Sequence, residues 1–179
     1  MGKARIGVEG DESRALWTKC IEFHGHECSG LSIGYRAALY AKSLLCIDES
    51  EDEDIVCIAE NDSCAVDALQ VILSTTLGKG NLKFHITGKQ AFSFYDRGSG
   101  KSIRLVYNAP DTDDVFVSLH TLSSYELFDV KKTTMPLPQK AKLYGRSTCE
   151  VCHETCGDKW IVVDDNGRKL CLDCFEKEC

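Results

Sequence analysis

An α+β fold, with helices packed on an antiparallel sheet and a small C-terminal zinc-binding domain, follows from three features of the sequence. Apolar residues recur at helical spacing through most of residues 12–76, strand-like runs dominate 82–107, and two Cys-x-x-Cys pairs lie near the end. At 179 residues the chain can bury one substantial core and carry an appendage. The pattern predicts a metal-binding core domain over 1–130, a linker over 131–148 and a four-cysteine domain over 149–179.

Leu16, Trp17, Cys20 and Phe23 form one apolar face and predict a first helix from about Glu12 to Phe23. Leu31, Gly34, Tyr35, Ala38, Ala41 and Leu45 predict a second helix; its interior glycine costs about 1 kcal/mol in propensity and points to close helix packing. Acidic residues 49–54 read as a surface loop and Ile55–Ala59 as a short buried strand. Glu60-Asn-Asp-Ser63 supplies turn chemistry before a third helix through Ala65, Val66, Leu69, Ile72, Leu73 and Thr76, with Gly78 and Gly80 ending it. Leu82–Ile86, Ala91–Tyr95 and Ser102–Tyr107 read as strands, the last two joined by a hairpin loop over 96–101. Leu122–Val130 reads as a further helix, and Met135-Pro-Leu-Pro138 breaks helical structure, which marks the linker.

A net charge of −7 gives no basic footprint for nucleic acid. No apolar run approaches the roughly 20 residues of a membrane span. Eleven cysteines, an odd number that includes two Cys-x-x-Cys pairs, point to a reduced compartment with metal ligation, hence a soluble cytoplasmic protein.

Two regions carry metal chemistry. Cys149-x-x-Cys152, eighteen residues, then Cys171-x-x-Cys174 is the spacing of a structural four-cysteine zinc site, with Zn2+ supplying most of the module's stability. His153, Cys156 and Cys179 are competing ligands. From Cys149 to Cys179 eight acidic and four basic residues give a net −4, which favours protein docking or dimer stabilisation over nucleic acid. The second region is His24-Gly-His26-Glu-Cys28, which packs two imidazoles and a thiol into a turn flanked by Gly25 and Gly30. Cys64, in the first turn of the third helix, is the distant fourth candidate, and a helix N-terminus is expected to depress its pKa. Mixed ligands at turns and helix starts suit an open site holding zinc, nickel or iron. Against this, His24 lies on the apolar face of its helix, where a core histidine would lie, and Cys64 is a common kind of small core residue. Glu27, Glu60, Asp62 and Asp67 are acidic neighbours that could support a ligand, act as general base or simply be solvated, and Lys79 is a candidate anion contact. The catalytic candidates are therefore Cys28, Cys64, Glu27 and Lys79.

Four blocks, Phe23-His-Gly-His-Glu-Cys-Ser-Gly-Leu-Ser-Ile-Gly-Tyr-Arg-Ala-Ala38, Glu60-Asn-Asp-Ser-Cys-Ala-Val-Asp-Ala-Leu-Gln70, Gly78-Lys-Gly-Asn-Leu82 and Gly88-Lys-Gln-Ala-Phe92, resemble the FmdE family of formylmethanofuran dehydrogenase. The C-terminal cysteines are similar to the zinc-finger extension that many members carry. The resemblance implies an α+β core with a metal-associated cleft at the His/Cys turn and Cys64, followed by a treble-clef-like zinc domain. It further implies a homodimer, with zinc domains exchanged between partners, and association with a molybdenum or tungsten enzyme of one-carbon metabolism that interconverts carbon dioxide and formylmethanofuran. That association does not make this chain the enzyme's catalyst, because nothing in it resembles a pterin-binding domain. Two departures stand out: Cys28-Ser29-Gly30 where the family usually has Cys-Pro-Gly, and Thr75 where a cysteine is common.

Three functions follow as expectations. The first is an accessory metal-binding protein of a redox complex. The second is a freestanding enzyme using a His/Cys-bound metal as Lewis acid, with Glu27 or Asp62 as base. The third is thiol redox chemistry between Cys28 and Cys64, which requires Cα atoms within about 7 Å.

Overall fold

The computed structural model describes residues 11–109 and 115–178, and Cys179 lies outside them. Contacts divide the chain into two units, at Lys140/Ala141. In the first unit, helix α1 (Asp11–His24) buries Trp17 and Cys20 but leaves Phe23 58% exposed, because its inward face runs through Trp17, Cys20, Ile21 and His24. Helix α2 (Ser29–Leu45) is buried on every side from Leu31 to Ala38, as expected of a helix whose polar residues are few. Strand β1 (Ile55–Ala59) leads into α3 (Ala65–Leu73), followed by β2 (Leu82–Phe84), β3 (Ala91–Asp96) and β4 (Ser102–Tyr107). Helix α3 ends earlier than its periodicity suggests. Ser74 supplies the left-handed cap at φ 52°, and Gly80 serves the later turn into β2.

The segment expected to be one helix over 122–130 is instead a single turn, α5 (Ser124–Leu127), preceded by α4 (Val115–Thr121) and followed by strand β5 (Phe128–Lys131). Glu126 Oε2 accepts from the Ser123 N–H at 2.9 Å, which stabilises only one turn. Beyond it Phe128 is buried and pairs with Tyr107 in β4, which makes the segment a strand.

The five-stranded sheet has the order β2-β1-β3-β4-β5, antiparallel except for the parallel pair β1/β2, whose connection runs through α3. One face sends Cys57, Ala59, Phe92, Phe94 and Leu105 into the main core with the helices. The other face gathers Val56, Ile58 and Tyr95 beneath Met135, whose carbonyl accepts from Tyr95 Oη at 2.7 Å. Residues around Met135 therefore cover the sheet within the first unit. On that face Glu60 and Arg104 meet across Ser93, with bonds of 2.5 and 2.8 Å.

The second unit contains a hairpin of β6 (Arg146–Thr148) and β7 (Thr155–Gly157), a 3₁₀ turn, a hairpin of β8 (Ile161–Val163) and β9 (Lys169–Cys171), and α6 (Leu172–Glu178). Its core is small: Cys149, Leu170 and Cys174, with Cys171 and Phe175 against them. Among the described residues no helix is long and apolar enough to cross a membrane.

Candidate metal centres

The four-cysteine centre is built from two local turns. Cys149 and Cys152 occupy the tip between β6 and β7, where His153 takes a left-handed φ of 62° and its N–H donates to the Cys149 carbonyl at 3.0 Å. Cys171 ends β9 and Cys174 lies in the first turn of α6. The four sulfurs lie within 4.8 Å of one another. The Cys152–Cys171 sulfur pair is 3.9 Å apart. Two sulfurs on one zinc, at about 2.3 Å each and tetrahedral angles, would be separated by about 3.8 Å. Backbone donation around Cys149, chiefly at Cys171 and Cys152, pulls its thiol down to about 6, and hydrogen bonding with Cys171 pushes Cys174 up to about 12, so the four sulfurs share a proton inventory that a cation would displace. Cys156, on β7, is not a member of the cluster, and neither is His153.

The N-terminal centre lies on the turn between α1 and α2, with α3 packed against it. Helix α1 ends at His24, Gly25 reverses the chain at φ 92°, and Cys28 caps α2, its sulfur accepting the Leu31 N–H at 3.3 Å. His24, His26 and Cys28 place one ligand atom each within 4.8 Å of the others. The two imidazole centroids are 4.5 Å apart, and His24 Nε2 lies 3.8 Å from Cys28 Sγ. A nitrogen and a sulfur bound to the same zinc would be about 3.6 Å apart, by the same arithmetic. The donor chemistry and the spacing therefore suit a soft or borderline divalent ion, without fixing which one.

Two glycines bring α3 to this turn. A Cβ on Gly30 would meet Cys64 Cβ at 3.1 Å, with the sulfurs of Cys64 and Cys28 3.7 and 3.9 Å away, and a Cβ on Gly34 would collide with the Ala65 carbonyl. Gly30 thus serves close approach; the positive φ belongs to Gly25. Cys64 stands against Cys28 but outside the tight group of His24, His26 and Cys28. Its thiol is pushed up, by burial first and then by Cys28, the reverse of the depression expected from its place before α3. Burial, together with the neighbouring Cys28, outweighs the helix dipole.

The acidic neighbours separate by partner. Glu60 belongs to the Arg104 pair and also accepts from Thr87 at 3.1 Å. Asp62 is exposed. Glu27 is exposed as well, but its carboxylate accepts from Trp17 Nε1 at 3.1 Å, one residue from Cys28. Asp67 accepts from His24 Nδ1 at 2.7 Å. Lys79 donates to the Ser50 carbonyl at 3.4 Å and so ties the α3–β2 turn to the 46–54 loop. His120 of α4 was not visible in the sequence as a site residue. Its ring packs edge-on to Trp17 at 5.7 Å, and its Nε2 lies 3.4 Å from Ser32 Oγ, which also donates to the Cys28 carbonyl. Burial lowers the His120 pKa, which keeps the ring neutral at pH 7. Trp17 and Ser32 lie 88 residues or more away in sequence, so no local pattern announces these contacts. Cys20 and Cys57 are core thiols, Cys20 pushed up to about 12 by burial.

Fold and site together define a two-unit α+β protein with, among the described residues, two thiol-containing clusters able to hold metal. The family model described as FmdE, molybdenum formylmethanofuran dehydrogenase operon, matches residues 23–137, and the chain belongs to that family. A tungsten formylmethanofuran dehydrogenase FmdE-like protein from Syntrophus aciditrophicus shares the fold, with a TM-score of 0.69 over 98% of both chains at 20% identity. A probable S-adenosyl-L-methionine-binding protein of Archaeoglobus fulgidus is 32% identical over 125 residues, 65% of this chain. The chain spans 34% of that relative's length.

Proposed function

We propose that the chain is an accessory metal-binding protein that serves a molybdenum or tungsten redox enzyme of one-carbon metabolism. His24, His26 and Cys28 would hold a transition metal, zinc, nickel or iron, with Cys64 as an adjoining thiolate, while Cys149, Cys152, Cys171 and Cys174 hold a structural zinc. The observation that carries this reading is the convergence of two imidazoles and a thiol within 4.8 Å at an exposed turn. A metal held there supplies a Lewis acid or a deliverable ion. The protein's own contribution is to present His24 Nε2 and Cys28 Sγ from two helix ends, with Glu27 fixed by Trp17 beside them. Family membership supports the redox partner, and a homodimer with exchanged zinc domains belongs to the same reading.

Metal analysis of untagged protein purified without added metal tests it. Wild type should carry two ions per chain and His26→Ala one; two ions in both would refute the N-terminal assignment.

The contact between Cys64 and Cys28 favours a second reading, thiol redox chemistry. In that case an added low-molecular-weight disulfide would oxidise the pair to a Cys28–Cys64 bond and be reduced to two thiols. Mass spectrometry after such treatment would show the cross-link, and its absence would eliminate this reading.

A further inference from the structure

Asp67 is one turn beyond Cys64 on α3, and both of its carboxylate oxygens are engaged. Oδ2 lies 2.7 Å from His24 Nδ1, and Oδ1 accepts from Gln70 Nε2 at 3.3 Å. A carboxylate only accepts, so His24 Nδ1 must carry the proton and Nε2 the lone pair. That lone-pair nitrogen is the atom 3.8 Å from Cys28 Sγ. The carboxylate therefore selects the one tautomer whose free nitrogen faces the cluster.

We propose that Asp67 is the positioning residue of the N-terminal site: through His24 it fixes the ring's tautomer and orientation and strengthens its donation to a divalent transition metal. This rests on the metal-binding reading above. Magnitudes separate this role from that of a tether between α1 and α3. The Asp67 side chain is 35% exposed, and partly exposed ion pairs contribute only about 0–1 kcal/mol to stability. Loss of a carboxylate behind a ligating histidine costs about 10–100-fold in metal affinity. Gln70 adds to the argument, since a carboxylate needed only as a surface charge would not require its second oxygen to be held.

The test uses the full chain, with the four-cysteine zinc as an internal control. Zn2+ is titrated against a competing chelator into wild type, Asp67→Asn and Asp67→Ala. Asp67→Ala should bind the second zinc about 10–100-fold more weakly, with Asp67→Asn in between because its amide oxygen still accepts the Nδ1 proton. The first zinc should stay bound and the metal-free melting temperature should change little. Ring ¹⁵N shifts of His24 should report the Nδ1–H form in wild type and a tautomer mixture in Asp67→Ala, a change that a tether alone would not produce. Equal affinity in wild type and Asp67→Ala overturns the role of Asp67 and leaves the metal site standing. Should Asp67→Ala fail to fold, Asp67→Asn decides, and wild-type affinity in that variant is equally contrary. A wild type that takes up no second zinc overturns the metal reading and this inference with it.

Discussion

The four-cysteine cluster takes its sulfurs from two short turns of one small unit, whereas His24, His26 and Cys28 lie on the single turn between α1 and α2, against which α3 brings Cys64 and Asp67 at a glycine-lined contact. In the first, binding a metal would be one thermodynamic event with folding, because so few apolar side chains are buried around the sulfurs. In the second, the turn rests on a large apolar core that includes Leu31, Tyr35, Leu69, Ile72, Phe92 and Phe94. A site that stabilises the fold can be closed, while a site that the fold supports is free to remain open and reactive.

The largest expected effect breaks that comparison at its stronger end. Cys171→Ser should abolish cooperative folding of residues 141–179 and release one metal, leaving the first unit protected in amide exchange; loss of protection throughout would contradict the division. Next is Glu60→Gln, which strands the buried Arg104 charge and should destabilise the first unit by about 3 kcal/mol in denaturant melts. The bond from Arg104 holds the Glu60 carboxyl below its ordinary value of 4.5. Its contribution is thus present above pH 4.5 and lost as pH falls through the lower folded-state value, so wild type and variant should converge in stability in acid. Gly34→Ala follows, at about 2 kcal/mol. The collision with the Ala65 backbone outweighs the roughly 1 kcal/mol of helix propensity that alanine adds. His26→Ala should be smallest in stability, within about 0.5 kcal/mol since the side chain is exposed, yet it should remove the N-terminal metal. That contrast, with stability kept and metal lost, is what sets this site apart from the cysteine cluster.

How legible each cluster was in sequence follows from the same contrast. Cys149, Cys152, Cys171 and Cys174 are readable because ligand spacing within a turn is a local constraint. The three helices were readable from period, β1 from its short apolar run, β3 and β4 from their strand-like composition and the hairpin loop between them, and Gly34 from its cost to a helix. The Phe128–Lys131 strand was hidden because its pairing with β4 decides between helix and strand where local preference does not. At the N-terminal site the ligand types were visible. The choice of Asp67 over Glu60, Asp62 and Glu27 was not, since only the approach of α3 to α1 distinguishes a carboxylate behind an imidazole from one in an ion pair. The thiol of Cys64 went the opposite way from its expected shift for a similar reason: a helix start is local, but burial and a second cysteine beside it are tertiary.

The central claim, that folding gathers imidazole and thiol ligands at the turn after α1, is tested most directly by anomalous diffraction from crystals of the protein as purified. The account predicts one peak within the Cys149/Cys152/Cys171/Cys174 cluster and a second within bonding distance of both His24 Nε2 and Cys28 Sγ. A single peak, confined to the four cysteines, would contradict it.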